Sequence, residues 1–132
     1  MPESEKITIN IWPVDLGQID LLVDQGFYSN RTDFIRIAIR NQLQSHQAEA
    51  KQFTTEHSFV MGVLKYDRKY LEKLVREAKT LDVKVIGGLI IAEDVTVDLA
   101  RATIKKVNYF GILKAPQDVK TFILSLQQKQ DN

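Results

Sequence analysis

Between Lys6 and Leu43 the chain reads KITINIWPVDLGQIDLLVDQGFYSNRTDFIRIAIRNQL. Its start alternates, with Lys6, Thr8 and Asn10 on one side and Ile7, Ile9 and Ile11 on the other. Successive strand side chains point to opposite faces, so this period of two predicts a half-buried strand. Pro13 suits the first turn of a helix, where its missing N–H has no partner to lose, and Leu16, Ile19, Leu22 and Val23 then recur at helical spacing. Gly17 weakens that helix, and Gly26 stops it, because glycine accepts the left-handed backbone with which helices commonly end. Ser29 or Asn30 can cap a second helix, in which Phe34 and Ala38 form one row and Ile35, Ile39 and Leu43 another. The order is βαα.

A strand and two short helices cannot close a sheet or bury such rows alone in about 40 residues. The economical answer is a second copy: two strands pair as an antiparallel ribbon across a two-fold axis, with four helices packed beneath. The outer face of that ribbon presents Lys6, Thr8 and Asn10 from each subunit.

The segment Lys6–Leu43 resembles the ribbon-helix-helix family of bacterial and archaeal DNA-binding proteins, of the CopG and Arc type. The pattern G-x-x-S-N-R-[ST]-x-x-I-R-x-A-I-R, from Gly26 through Arg40, is the most specific part, preceded by the alternating strand. The resemblance covers roughly the first third of the chain. It implies an obligate dimer whose ribbon lies in the major groove of double-stranded DNA, with Lys6, Thr8 and Asn10 toward the bases. It also implies that Ser29, Asn30 and Arg31, at the turn into the second helix, clamp a backbone phosphate.

The chemistry of these residues fits those roles. Lysine donates to guanine O6 or N7, asparagine pairs bidentately with adenine, and threonine offers a hydroxyl and a methyl. A helix N-terminus presents unpaired N–H groups and a partial positive charge to a phosphate, and Arg31 adds a cation. Such contacts set register rather than sequence choice. A plainer reading stands beside this one: Thr8 and Asn10 fit the solvated face of an edge strand, and Ser29 fits an ordinary cap. Residues 1–50 carry a net charge of −3 and the remainder +4. An acidic head forgoes much phosphate attraction, so the expected affinity is modest and rests on several contacts together. Trp12 reads as packing at the ribbon's end, since no second aromatic follows in register to stack a base.

The expected organisation is a ribbon-helix-helix domain over 1–45, a linker or helix extension over 46–56, and a small α/β domain over 57–132 for oligomerisation or sensing. In the last, Ser58–Tyr66 reads as a strand. Arg68–Leu81 reads as a helix burying Leu71, Leu74, Val75, Ala78 and Leu81. Val83–Ala92, Asp94–Ile104, Val107–Leu113 and Gln117–Gln128 follow as strand, helix, strand and helix. Gly88–Val95 echoes Gly111–Val119 with one extra residue, which would suit a short solenoid-like repeat. A sheet with covering helices is favoured, because the Arg68–Leu81 helix needs a sheet face to cover. Head and tail together share the layout of the nickel-responsive regulators. Their metal site is not carried over, because only His46 and His57 are present and there is no cysteine.

The same lack of cysteine excludes disulfides, thiolate zinc sites and a cysteine nucleophile, and makes the cytoplasm the default location. The longest apolar stretch, Val85–Ala92, falls far short of the roughly 20 residues of a membrane span, and the start MPESEK lacks the features of a signal peptide. No Ser, His and acid cluster and no phosphate-binding glycine loop is present, and Gly87-Gly88 reads as close backbone packing. An enzyme is therefore not expected, nor a cofactor. The sequence reads as a homodimeric, site-specific DNA-binding transcriptional regulator, a repressor acting by occlusion. An antitoxin, or an interaction module that has lost its DNA affinity, are the alternatives. The tail is expected to self-associate, and no motif in it names an effector.

Overall fold

The structure, a computed structural model, describes the backbone of residues 4–131 and the side chains of residues 4–127. Residues 1–3 and 132, the outer limits of the domains expected from the sequence, lie outside the described residues. The chain divides into two compact units, Ser4–Phe53 and Thr54 onward, called here the head and the tail. The division falls inside 46–56, and that segment is a helix rather than a loose connector.

In the head, α1 spans Pro13–Asp24, α2 spans Arg31–Ser45, and α3, Gln47–His57, begins after a turn at His46 and crosses into the tail. Pro13 opens α1. Gly26 closes it with φ +86°, its N–H donating to the Val23 carbonyl at 3.1 Å while the Phe27 N–H reaches the Leu22 carbonyl at 3.0 Å. These paired bonds satisfy carbonyls that the helix end would leave open. Of the two candidate caps for α2 it is Asn30 that serves, accepting from the Asp33 N–H at 2.8 Å. Tyr28 meets Phe34 edge to face, with ring centroids 4.9 Å apart.

The strand expected over Lys6–Ile11 is not formed within the single chain: among the described residues, Ser4–Trp12 belongs to no element. A strand exists only where a neighbour supplies ladder hydrogen bonds, and this unit contains no other strand. Packing tells the same story, since Ile19 is the one buried residue among those described in the head.

The tail alternates β1 (Val60–Tyr66), α4 (Arg68–Arg76), β2 (Leu81–Ile91), α5 (Val97–Thr103), β3 (Ile104–Lys114) and α6 (Gln117–Asp131). All pairings are parallel, in the order β1-β2-β3, so each crossover needs a helix to return the chain to its starting end. Val83, Val85, Leu89, Ile91, Val107 and Leu113 of the sheet form one core with Leu71 and Leu74 of α4, Ala100 of α5, and Val119 and Ile123 of α6. This is a sheet with covering helices. Thr103, buried among apolar groups, is satisfied by donating to the Leu99 carbonyl at 2.8 Å.

One helix is shorter than its periodicity suggests. After α4, Ala78 adopts φ +54°, and the N–H groups of Ala78 and Lys79 donate to the carbonyls of Val75 and Leu74 at 3.1 and 2.9 Å. The turn sends the chain into β2, so Leu81 begins a strand instead of ending the helix, and Val75 and Ala78 are exposed. The repeat also needs correcting. Register sets Gly87 against Gly111 and Leu89 against Leu113, an offset of 24 residues that carries Asp94 onto Asp118 and Val95 onto Val119 with no extra residue. Gly62-Val63-Leu64 supplies a third copy, paired with Gly87-Gly88-Leu89.

Gly62, Gly87 and Gly111 therefore form one row across the sheet, with φ of +149°, +140° and +121°. A Cβ on Gly87 would overlap the Gly62 carbonyl oxygen, and one on Gly111 would overlap that of Gly87. Close backbone approach, not phosphate binding, accounts for Gly87. Among the described residues no helix is long and apolar enough to cross a membrane.

Candidate nucleic-acid interface

The residues of the proposed reading face, Lys6, Thr8 and Asn10, are all exposed along the segment that precedes α1. So are the residues meant to lie beneath them, for Ile7 and Ile9 are 81% and 64% exposed. A hollow of about 470 Å³ opens here, lined by Thr8, Ile9, Asn10 and Ile11 together with Leu16 and Ile19 of α1 and Arg31 and Ile35 of α2. The fold thus brings Thr8, Asn10 and Arg31 around one concavity, while Lys6, Ser29 and Asn30 stand outside its lining. Ile39 and Leu43, the outer row of α2, are exposed as well.

At the start of α2 the backbone is fixed by a reciprocal arrangement. The Ser29 N–H donates to Asp33 Oδ2 at 3.0 Å, and the Asp33 N–H donates to Asn30 Oδ1 at 2.8 Å. The Phe34 N–H donates to the Asn30 carbonyl at 3.2 Å. The amides of Arg31 and Thr32, in the first turn, have no intrahelical acceptor, so they are the donors this turn offers an anion. The Asp33 carboxylate already offsets part of the helix's positive end.

Arg31 is engaged within the chain. Its Nε and Nη2 donate to Asp20 Oδ1 and Oδ2 at 2.8 and 2.9 Å, a bidentate pair joining α2 to α1. The hydrogen bonds from Arg31 hold the Asp20 carboxyl below the usual carboxylate range, and Asp20 in turn holds the guanidinium proton more tightly. The cation expected to meet a phosphate thus carries its own counter-charge. Sequence reasoning missed Asp20, since no helical or strand period links positions eleven apart across a turn. Arg36 and Arg40, one turn apart and exposed on α2, add positive charge that the sequence reading did not assign.

The tail has a concavity of its own. About 440 Å³ lies at the carboxyl ends of the three strands, lined by Lys65, Tyr66, Asp67, Ile90, Glu93 and Lys114 among others. Tyr66 stacks on Tyr70 with centroids 5.6 Å apart, and burial pushes its phenol up. The lysines here are balanced by Asp67 and Glu93, and Asp67 caps α4 by accepting from the Tyr70 N–H at 2.8 Å. No group of three or more His, Cys, Asp or Glu side chains among the described residues is arranged to hold a metal ion.

A model of the Ribbon-Helix-Helix transcriptional regulator family matches residues 2–120. The match runs far past Lys6–Leu43 and takes in the tail's sheet, α4, α5 and the start of α6. The resemblance read from the sequence motifs is therefore too short: the family pattern includes the tail. An uncharacterized protein of Methanocaldococcus jannaschii is similar, 31% identical over 81 residues that cover 56% of this chain and 84% of its own length. No solved structure matches significantly.

Proposed function

This chain belongs to the Ribbon-Helix-Helix transcriptional regulator family, and from that premise we propose that it is a cytoplasmic, site-specific DNA-binding repressor that works as a homodimer by occluding its operator. The observation that carries the reading is the unfinished head. Its reading strand has no ladder partner, and Ile7 and Ile9 on the inner side of that strand stand in water while Ile11 is half-buried. Each large aliphatic side chain left exposed forgoes about 1.5–3 kcal/mol of burial. Pairing Lys6–Ile11 with the same segment of a second copy recovers it, and sets Lys6, Thr8 and Asn10 of both copies on one outward face. There Lys6 and Asn10 supply the hydrogen bonds that distinguish guanine and adenine, and Thr8 meets a base edge with its hydroxyl or methyl.

In this reading the turn Ser29-Asn30-Arg31 fixes register. The hydrogen bonds of Ser29 and Asn30 with Asp33 hold the turn, and the amides of Arg31 and Thr32 take the phosphate. Arg31 contributes to the extent that it turns away from Asp20. No reaction and no cofactor is assigned to the chain. The test is a footprint on the DNA upstream of its own gene at several salt concentrations. Two protected half-sites related by two-fold symmetry are expected, and no protection even at low salt would refute the proposal.

One observation favours a second reading. The head is acidic and its Arg31 is neutralised within the chain, as suits an interaction module that uses the dimer for assembly alone. A purified dimer that ignores DNA would select it. An antitoxin calls for a tail that orders only on its partner, and the tail here has a core of its own.

A further inference from the structure

The two edges of the tail sheet are built differently. β3 exposes Phe110 at 53% but also Lys105, Lys106 and Lys114, charged side chains of the kind that deter another strand from pairing. β1 instead exposes Val60, Met61 and Val63, at 49%, 55% and 54%, and its one lysine, Lys65, lies next to its end. Among the described residues β1 pairs on one side only, with β2. Alternation puts Met61 and Val63 on one face of the strand and Val60 on the other, so the edge is apolar above and below. At mid-strand Gly62 has open space where a Cβ would stand, unlike Gly87 and Gly111, so no side chain fends off a second backbone there.

We infer that β1 pairs with β1 of a second copy, antiparallel across a two-fold axis beside Gly62, merging two three-stranded sheets into one continuous sheet. A second copy is the occupant for three reasons. Antiparallel pairing about Gly62 sets Met61 opposite Val63 and Val60 opposite Leu64, apolar against apolar on both faces, so the edge is complementary to itself. Pairing β1 with β3 of another copy would meet Lys105 and Lys106 and would propagate head to tail without closing, whereas β1 on β1 closes after two chains. The dimer of the proposed function also supplies a second tail to every first. The inference rests on that dimer and not on its DNA contacts. Tails paired within one dimer fix the spacing of the two heads, and tails paired between dimers hold adjacent operator sites together by effective concentration.

The chain contains no cysteine, so introduced thiols report without background. The full chain carrying Met61→Cys and Val63→Cys should form a disulfide-linked dimer under mild oxidation without DNA. The rate should exceed by at least about tenfold that of a β3-edge variant, Lys105→Cys with Lys106→Cys, because paired strands hold thiols at a high effective concentration. Adding Val60→Lys, at a site already exposed, should abolish the advantage while leaving the tail's circular dichroism unchanged. Equal rates at the two edges, or no cross-link at β1, would overturn the inference. Slow hydrogen exchange of the β1 amides without the cross-link would also overturn it, since another segment or another protein would then cover the edge. Light scattering separates the two failures. A monomeric chain removes the proposed dimer, whereas a dimer without the β1 cross-link removes only this interface.

Discussion

Replacing Asp20 by asparagine isolates the question of what Arg31 does. In the structure Asp20 takes both forked donors of Arg31 on an exposed surface, so the pair presents little net charge to an approaching phosphate. Asparagine keeps the shape and one acceptor while removing the negative charge, and one guanidinium per subunit becomes available. Each additional phosphate neutralised steepens the fall of log K with log salt by about 0.9, hence by about 1.8 for a dimer. Between about 50 and 200 mM salt, a fourfold range, the variant should lose about twelvefold more affinity than the natural protein, having bound more tightly at the low end. Fluorescence anisotropy of a labelled operator fragment across a salt series reads this slope directly. In the Asp20→Asn background, Arg31→Ala should return the slope to that of the natural protein and weaken all sequences alike. An Asp20→Asn slope identical to that of the natural protein would refute the phosphate role and leave Arg31 as a tie between α1 and α2.

Single replacement of Lys6, Thr8 or Asn10 by alanine should cost about 1–3 kcal/mol of discrimination at one base pair; unchanged selectivity in the triple variant, with the dimer intact, would remove the row from recognition. Gly87→Ala should cost the tail at least about 2–4 kcal/mol in denaturant unfolding, since its methyl meets the Gly62 carbonyl. Gly88→Ala, facing the side chains of Ile112 and Val63 at 3.3 and 3.5 Å and no backbone atom among its nearest neighbours, should be far milder, and equal costs would contradict the packing argument. Ala78→Gly should raise the thermal midpoint by relieving the left-handed backbone at φ +54°, a net gain of about 0.5–1 kcal/mol; a lowered midpoint would count against it. Because the Asp20 carboxyl is lowered in the fold, the pair's contribution is complete above the usual carboxylate value of about 3.9 and is lost only as pH falls through the lower folded one. A carboxyl NMR titration that finds Asp20 protonating at or above the usual value would show that the pair does not persist in solution.

The head was legible because its signals are local. Gly26 needs only its own left-handed backbone to stop α1, and Asn30 only the amide three residues on to cap α2. What escaped the sequence depends on groups far apart in the chain or on pairing partners that the head does not contain. The alternation over Lys6–Ile11 is visible in the sequence, but the head contains no other strand to supply ladder hydrogen bonds, so no strand is formed in the single chain. The pair of Arg31 with Asp20 joins two helices across a turn. In the tail, the order of strands and helices followed from periodicity, but α4 ended early because Ala78 takes up a conformation usually left to glycine. The glycine echo was visible one residue out of step, since two adjacent glycines offered the eye two alignments and only the strand register chose Gly87.

At the level of Gly62, Gly87 and Gly111 the sheet is held main chain against main chain. The positions a methyl would need on Gly87 and Gly111 are filled by carbonyl oxygens of the neighbouring strand. Strand spacing there is consequently independent of which side chains fill the layers above and below. Mutational drift can exchange one aliphatic residue for another around Val85 or Leu89 while the gauge of the sheet stays constant, set where Gly87 and Gly111 leave no room for a side chain.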